Sequence, residues 1–178
     1  GGGAPKTDVN GPGEFGEPAD AFENAIIVGD ATWRDYAVET RFMIDDNDAL
    51  GLVFRYSSPD NFYLLVMTRN EMPGLKGQVD NLTGPQTRLY RIYEGVAERI
   101  EDPEVNLAYI YNTNVFQQLR VEVAANTITA WVAIGDDGVD TSEDPLLTVT
   151  DPGPGPMAGL AGIYAFSMGE GLPGTYFD

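Results

Sequence analysis

The stretch WRDYAVETRFMIDDNDALGLVFRYSSPDNFYLLVM, from Trp33 to Met67, decides the fold because it predicts three consecutive antiparallel strands. In the first, alternate residues from Tyr36 to Ile44 face one way, and period-two alternation is typical of a strand with one buried face. The second strand, Leu50–Tyr56, alternates in the same way, and Ser57–Asn61 forms a turn. The third, Phe62–Thr68, is apolar on both faces, as in a central strand of a sandwich.

The link between the first two strands is rich in side-chain oxygens, which are the ligands that calcium prefers. Its candidate ligands are Asp45, Asp46, Asn47 and Asp48, joined by Asp30 and Asp178 because strand ends converge in a sandwich. A second candidate set lies in the acid-rich loop GDDGVDTSEDP and comprises Asp136, Asp137, Asp140 and Asp144. Neither set has the spacing of an EF-hand. We predict a calcium site in one of them, against the alternative that these charges only keep a turn solvated.

The composition bounds the function. The chain has 178 residues, 43% of them hydrophobic, which suits one domain with a sizeable core. Its formal charge of −18 makes nucleic acid and anionic membrane surfaces poor partners. The absence of Cys and His excludes disulfides, thiol catalysis, the Ser-His-Asp triad and most zinc sites. No apolar run of about 18 residues predicts a membrane span, and no stretch of the given residues has the pattern of a signal peptide.

The rest of the chain predicts further strands joined by short turns. Residues 1–21 are rich in Gly, Pro and acids and predict a linker or arm, and 22–178 form the predicted sandwich domain. Five more strands are predicted, at Asn24–Val28, Phe116–Val123, Thr127–Ile134, Leu146–Val149 and Leu160–Met168, with a hairpin across Glu94-Gly95, a tight turn in which Asn126 takes positive φ, and the opening of a last strand at Thr175. No segment carries a helical period, which favours an all-β antiparallel jelly-roll sandwich.

The order of these motifs resembles a known superfamily. It runs from Trp-x-Asp-Tyr-x-Val-Glu at Trp33–Glu39 through Gly-Leu-Val-Phe-Arg-Tyr at Gly51–Tyr56 and Asp-Asn-Phe-Tyr at Asp60–Tyr63 to a Gly-Leu-Ala-Gly-Ile-Tyr-Ala strand at Gly159–Ala165. This resembles the concanavalin A-like lectin/glucanase superfamily. Within it, the chain is similar to laminin-G-like jelly rolls, keto-disaccharide hydrolase-like domains and the lectin-like C-terminal domain of thrombospondins. The resemblance implies the fold, and it implies an extracellular location.

Two departures from that superfamily concern the edges of the sheets. Its members usually have a strand before the one at Asn24, and their last strand continues past the Phe-Asp with which this chain ends. We therefore expect a segment of a longer polypeptide, or a sheet edge completed by a neighbouring chain, because an open edge is an aggregation hazard.

The resemblance also speaks against catalysis. Glucanase members carry a Glu-x-Asp-x-x-Glu strand, and a retaining mechanism needs two carboxyls about 5–5.5 Å apart. That motif is absent here, and the acids of Glu98–Glu104 have the wrong spacing and predict a solvated turn. On the polar faces of their strands, Glu39, Arg41 and Arg55 predict cross-strand ion pairs.

A saccharide surface needs exposed aromatic rings beside hydrogen-bonding groups. The candidates in this sequence are Arg88, Tyr90, Arg91, Tyr93, Asn106, Tyr109, Tyr111 and Trp131. Of these, Tyr90 and Tyr93 fall on opposite faces of their strand, so one of them is expected to be exposed, and Trp131 points away from the core side. The alternative is that most of these rings pack between the sheets.

Together these observations predict a non-catalytic, extracellular carbohydrate-binding or adhesion module, stabilised by calcium, whose partner is a polysaccharide or glycan. Two alternatives stay open. One is a structural subunit of a surface assembly, completed by a neighbouring domain or an identical subunit. The other is a glycoside-cleaving enzyme of the keto-disaccharide hydrolase-like group.

Overall fold

A computed structural model describes residues 25–45, 49–69, 85–101, 111–135, 137–166 and 175–177. These residues form eleven strands: β1 (Ala25–Val28), β2 (Tyr36–Ile44), β3 (Ala49–Ser58), β4 (Asn61–Thr68), β5 (Gln86–Tyr93), β6 (Val96–Arg99), β7 (Gln117–Ala124), β8 (Thr127–Ile134), β9 (Leu147–Thr150), β10 (Leu160–Phe166) and β11 (Thr175–Phe177). The predicted strands are therefore found within a few residues of their predicted bounds. No helix long and apolar enough to cross a membrane occurs in these ranges.

The strands form two antiparallel sheets. One has six strands in the order β1-β10-β3-β4-β5-β6, and the other has five in the order β11-β2-β7-β8-β9. Neighbouring strands are far apart in sequence at several places, as in a jelly roll. This confirms the predicted antiparallel jelly-roll β-sandwich. The first and last strands do not pair with each other, since β1 and β11 are edges of different sheets.

The main core lies between the sheets. Alternate residues of β2 face it, and the burial of Phe42 and Ile44 beside half-buried Arg41 and Met43 confirms the predicted alternation. The six-stranded sheet contributes Leu52, Phe54 and Leu65, and the five-stranded sheet contributes Leu119, Val121 and Ile128, among others.

The opposite face of the six-stranded sheet is also apolar and buried. It carries a second cluster that includes Val53, Phe62, Leu64, Val66 and Ile92. This explains why β4 is apolar on both faces, as predicted: Phe62, Leu64 and Val66 face outward while their neighbours face the main core. In the five-stranded sheet, by contrast, the outward residues are largely polar.

The β7–β8 turn differs from the prediction in one residue. Ala125, and not Asn126, is a residue with positive φ, at 50°. Tertiary contacts on both sides hold it there. Asp35 Oδ1 accepts a hydrogen bond from Ala125 N at 2.7 Å, and Arg55 Nη2 donates to Ala125 O at 2.5 Å. The predicted β5–β6 turn across Glu94-Gly95 is confirmed, with both residues at positive φ.

Arg55 connects strands at one end of the sandwich. It is fully buried, and its φ of 50° lies in a bulge of β3. Its guanidinium donates to Arg34 O at 3.0 Å as well as to Ala125 O, and its backbone N–H donates to the Tyr36 hydroxyl at 2.6 Å. The predicted ion pair of Arg55 is therefore found with a different geometry: Asp35 Oδ1 lies 3.9 Å from Arg55 Nη2, but Asp35 precedes β2 of the other sheet and is not a cross-strand neighbour. Arg55 chiefly donates to backbone carbonyls.

Candidate functional site

A row of polar and aromatic side chains crosses the outer face of the five-stranded sheet. The register pairs Glu39 on β2 with Arg120 on β7, and Arg120 with Trp131 on β8. Paired residues of neighbouring strands share a face, so the three side chains lie side by side. Neighbouring strands are about 4.8 Å apart, so the row spans about 10 Å. Glu122 lies two residues beyond Arg120 on β7 and therefore faces the same side. We call Glu39, Arg120, Glu122 and Trp131 the outer row.

Arg120 is the centre of this row. Its Nη1 donates to Glu39 Oε2 at 3.1 Å, and its Nη2 donates to Glu122 Oε2 at 3.3 Å. The Arg120 side chain is 26% exposed and that of Glu39 is 37% exposed, so both are accessible to solvent. One guanidinium stands between two carboxylates, which leaves the row with a net negative charge.

Trp131 supplies the aromatic surface of the row. It is half-buried, and its Nε1 donates to the carbonyl oxygen of Glu143 at 3.3 Å. The loop that carries Glu143 is itself ordered by Asp140, whose Oδ1 accepts hydrogen bonds from Ser142 Oγ at 2.7 Å and Ser142 N at 2.8 Å. Because the indole is tethered at one edge, its orientation is fixed before any ligand arrives.

Arg91 forms a different cluster at the end of the sandwich, in which Arg91, Asp151 and Tyr63 are buried and Glu98 is exposed. Its Nη1 bonds to Asp151 Oδ1 and its Nη2 to Glu98 Oε2. The Tyr63 hydroxyl donates to Asp151 Oδ2 at 2.9 Å, and Gly153 N donates to Asp151 Oδ1 at 2.9 Å. Burial, together with the adjacent Asp151 carboxylate, raises the pKa of Tyr63 well above its ordinary value. We call these five residues the end cluster.

The end cluster links the two sheets through hydrogen bonds within the protein. It joins β4, β5 and β6 of one sheet to the turn that follows β9 of the other. Both terminal nitrogens of Arg91 and both oxygens of Asp151 already have partners inside the protein. Four residues of the end cluster, Arg91, Glu98, Asp151 and Gly153, line a cleft of about 310 Å³ between β6 and β9.

Glu101 is a third charged position, and it corrects the prediction of a solvated turn at 98–104. Its side chain is 2% exposed, and its Oε2 accepts a hydrogen bond from Leu89 N at 3.1 Å. Oε1 lies 3.3 Å from Arg99 Nε and 3.7 Å from Arg88 Nε, but no described group donates a hydrogen bond to it. Burial raises the pKa of Glu101 above its ordinary value, although the Leu89 amide and the two arginines oppose this.

The structure does not gather the predicted sugar-binding residues into one groove. Arg88 pairs with Val66 and Arg91 with Tyr63, so the two arginines face opposite sides of β5. Tyr90 and Tyr111 are buried in the two cores, which corrects their expected role as sugar-stacking rings. Tyr93, on the opposite face of β5 from Tyr90, is half-buried. Tyr109, like Asn106, lies outside the described residues.

Of the predicted sugar contacts, Trp131 lies in the outer row. Its partners there, Arg120 and Glu39, are a cross-strand pair of the kind expected, although Arg120 was not singled out from the sequence. The alternation in LRVEV and in TITAWVAI placed Arg120 and Trp131 on the polar faces of their strands. It did not predict the strand register, which brings the two residues together. Arg41, for which an ion pair was also predicted, lies with its guanidinium carbon 3.6 Å from the centre of the Phe116 ring.

The calcium prediction is not tested by these residues. Asp46, Asn47, Asp48, Asp136 and Asp178 lie outside the described ranges. Among the acids that are described, Asp30 Oδ1 accepts hydrogen bonds from Thr32 N and Oγ1, and Asp140 does the same with Ser142. Asp45 and Asp137 are exposed. The described residues contain no group of three or more candidate ligands, so the calcium site stays a prediction.

Comparisons with solved structures identify the fold. The chain is similar to the carbohydrate-binding module CBM66 from Bacillus subtilis, with 15% identity, a TM-score of 0.53 and coverage of 82% of this chain and 73% of the module. It is also similar to a tetrameric galectin from the sponge Cinachyrella sp., with 13% identity, a TM-score of 0.51 and coverage of 86% and 94%. The chain therefore shares the fold of these structures, an antiparallel jelly-roll β-sandwich.

A third similar structure is a xylan β-1,4-xylosidase from Bacillus halodurans, with 14% identity and a TM-score of 0.51. The match covers 82% of this chain but only 27% of the xylosidase. No protein-family model and no curated protein matches the sequence.

Proposed function

We propose that the protein is a non-catalytic carbohydrate-binding module whose glycan lies on the outer row. The observation that carries this proposal is the alignment of Glu39, Arg120 and Trp131 across three strands of a solvent-facing sheet. An aromatic ring beside hydrogen-bonding groups is the arrangement that saccharide recognition requires, since a sugar ring has both an apolar face and hydroxyls.

Two further observations support the proposal. The indole of Trp131 is tethered to Glu143 and Arg120 is held by two carboxylates, so little conformational entropy remains to be lost on binding. The fold is similar to that of a carbohydrate-binding module and a galectin, which makes sugar binding a natural use of this scaffold. An extracellular or cell-surface location belongs to the same proposal.

The test compares the two tryptophans of the chain on a glycan array and by affinity electrophoresis. Trp131→Ala removes the aromatic surface of the outer row, and we expect binding to fall at least tenfold, as for an aromatic residue central to an interface. Trp33 is the matched control. It is 45% exposed and lies in the β1–β2 connection, so Trp33→Ala should bind as the unaltered protein does. Circular dichroism checks that both variants fold.

Three outcomes separate the candidates. Equal binding by both variants would move the glycan away from the outer row. Binding of no saccharide by the unaltered protein would overturn the proposal. Release of product from a glycoside would favour the enzyme instead. Repeating the array with calcium and with a chelator tests the calcium site, which we keep as part of the proposal.

A structural subunit is the second candidate, and the edge strand β1 favours it. Ile26 and Val28 are exposed there, and β1 is the outermost strand at one side of the six-stranded sheet among the described residues. An apolar edge strand can add a strand from a neighbour. If this function holds, the unaltered protein assembles at micromolar concentration and Ile26→Lys does not. A monomer at all concentrations contradicts it.

A further inference from the structure

We infer that the glycan bound at the outer row is neutral and rich in hydroxyl groups, and that saccharides carrying carboxylate or sulfate groups are rejected. This inference rests on the proposed function, since it names the class of ligand that the same surface would take.

The first step is the hydrogen-bonding character of the row. Glu39 and Glu122 flank Arg120, and ionised carboxylates only accept hydrogen bonds, whereas a guanidinium only donates. A ligand group that lies across this sequence of acceptor, donor and acceptor must be able both to donate and to accept. A hydroxyl does so, whereas a carboxylate or sulfate can only accept and would face the two glutamates unpaired.

The second step concerns the partners that the cationic side chains of the chain already have. The eight arginines of the chain all lie in the described ranges, whereas the two lysines, Lys6 and Lys76, do not. Arg55 donates to backbone carbonyls and Arg91 to the end cluster. Arg88 and Arg99 flank Glu101.

The remaining arginines are placed similarly. Arg41 and Arg69 lie over the rings of Phe116 and Tyr111, and Arg120 is held by the two glutamates of the row. Arg34 is exposed, but it precedes β2 near Asp35 and is not part of the row. Arg120 is therefore the one cation of the outer row among the described residues. Arg41 lies on the same face two residues along β2 from Glu39, where its guanidinium packs on the Phe116 ring.

The third step is the field of the whole chain. With a formal charge of −18, an anionic polysaccharide is repelled before it makes contact, and this repulsion is strongest at low salt. A neutral glycan carries no net charge on which this field could act, so its binding should change little with ionic strength. Salt dependence is therefore a second readout, independent of affinity.

The experiment uses pairs of polysaccharides that share a backbone and differ in charge. Suitable pairs are methyl-esterified and de-esterified homogalacturonan, desulfated and sulfated galactan, and unsubstituted and glucuronate-substituted xylan, measured with the full chain at low and high salt. We expect the neutral polysaccharides to bind, and each charged counterpart to bind more weakly by about tenfold or more at low salt. At high salt this difference in affinity should be smaller, because the repulsion is screened.

A variant pair locates the source of the discrimination. Glu122→Gln removes one carboxylate from the row and should narrow the gap between neutral and charged members. Glu94→Gln removes the same charge from the exposed β5–β6 turn and should leave the gap unchanged.

The outcomes distinguish the two levels of the proposal. A charged member that binds more tightly than its neutral counterpart overturns the inference and leaves the carbohydrate-binding function standing. Loss of binding in the Trp131→Ala variant without any preference between the members of a pair also overturns the inference alone. Binding to no member of any pair overturns the function, and the inference with it.

Discussion

Arg91 in the end cluster and Arg120 in the outer row are both held between two carboxylates, but Arg91 has one buried partner, Asp151, beside the exposed Glu98, whereas both partners of Arg120 are exposed. The Arg91 side chain is 8% exposed and its partner Asp151 is 4% exposed, and Tyr63 and Gly153 add further hydrogen bonds. Arg120 is reached by solvent, and so are Glu39 and Glu122. The same pair of chemical groups joins the two sheets in one place and presents a surface in the other.

The two clusters differ in how much hydration their charged groups lose on folding. A buried ion pair loses its hydration on folding and is strongly destabilising when one partner is removed, because the other charge then stays buried and unpaired. An exposed pair keeps most of its hydration and contributes little. Residue types alone therefore do not separate structure from function here, but their exposure does.

The largest expected effect is that of Asp151→Ala. It leaves the buried Arg91 with Glu98 alone and removes the acceptor of the Tyr63 hydroxyl. We expect the free energy of unfolding to fall by about 3–5 kcal/mol, as for other broken buried pairs. Chemical denaturation measures it. Glu39→Ala is the control from the outer row, with an expected loss of below about 1 kcal/mol. Equal losses in the two variants would erase the distinction between the clusters.

A smaller effect is expected from Gly153→Ala, which crowds the end cluster without removing a charge. A Cβ on Gly153 would lie 1.9 Å from Arg91 Nη1, and Arg91 is held on both sides by Asp151 and Glu98. We expect a loss of about 1–3 kcal/mol, typical of overpacking.

The control for Gly153→Ala is a double-mutant cycle with Arg91→Ala, measured by the same denaturation experiment. Removing the Arg91 side chain makes room for the new methyl group, so Gly153→Ala should then cost little. A loss that persists in the Arg91→Ala background would have a backbone origin and would contradict the crowding.

The sequence predicts the strands better than it predicts the clusters. The alternation of Tyr36–Ile44 determined both strand type and buried face, because period two ties the side chains to the pleat. The apolar run of Phe62–Thr68 predicted a strand that is buried on both faces. The end cluster could not be predicted in this way. Asp151 occurs in DPGPGP, which reads as a turn, and only the packing of that turn against β5 makes the aspartate a buried partner of Arg91.

The outer row was predictable in part. The outward direction of Trp131 follows from the alternation of β8, but its neighbours depend on the register of three strands that are distant in sequence. The left-handed conformation of Ala125 was not predictable for the same reason. Asp35 and Arg55 hold that residue, and both precede it by about seventy residues or more.

Glu101 combines features of both clusters: its own side chain is buried, as in the end cluster, but its neighbour Arg99 is partly exposed, as in the outer row. Its raised pKa means that the folded state retains a proton that the unfolded state releases above the ordinary value of 4.5. The free energy of unfolding should therefore fall as the pH rises from 4.5 through the raised pKa. Glu101→Gln has no such proton, so its stability relative to the unaltered protein should improve over that window.

Denaturation of both proteins at a series of pH values between 4.5 and neutrality measures this difference. Glu94→Gln, in the exposed turn, is the control for a general effect of net charge and should follow the unaltered protein. A gap between Glu101→Gln and the unaltered protein that stays constant over the series would mean that burial does not perturb Glu101.

The smallest expected effect on stability is that of Arg120→Met, which keeps the length of the side chain and removes its charge. Because the outer row is exposed, the free energy of unfolding should change by less than about 1 kcal/mol. Glycan binding should nevertheless fall about tenfold, since Arg120 is the donor of the row, and a tenfold change corresponds to about 1.4 kcal/mol. Arg91→Met is the mirror experiment and should destabilise the fold while leaving binding by the folded fraction intact. If Arg120→Met instead unfolded the protein as readily as Asp151→Ala, the outer row would belong to the scaffold, and exposure would not distinguish the two arginines.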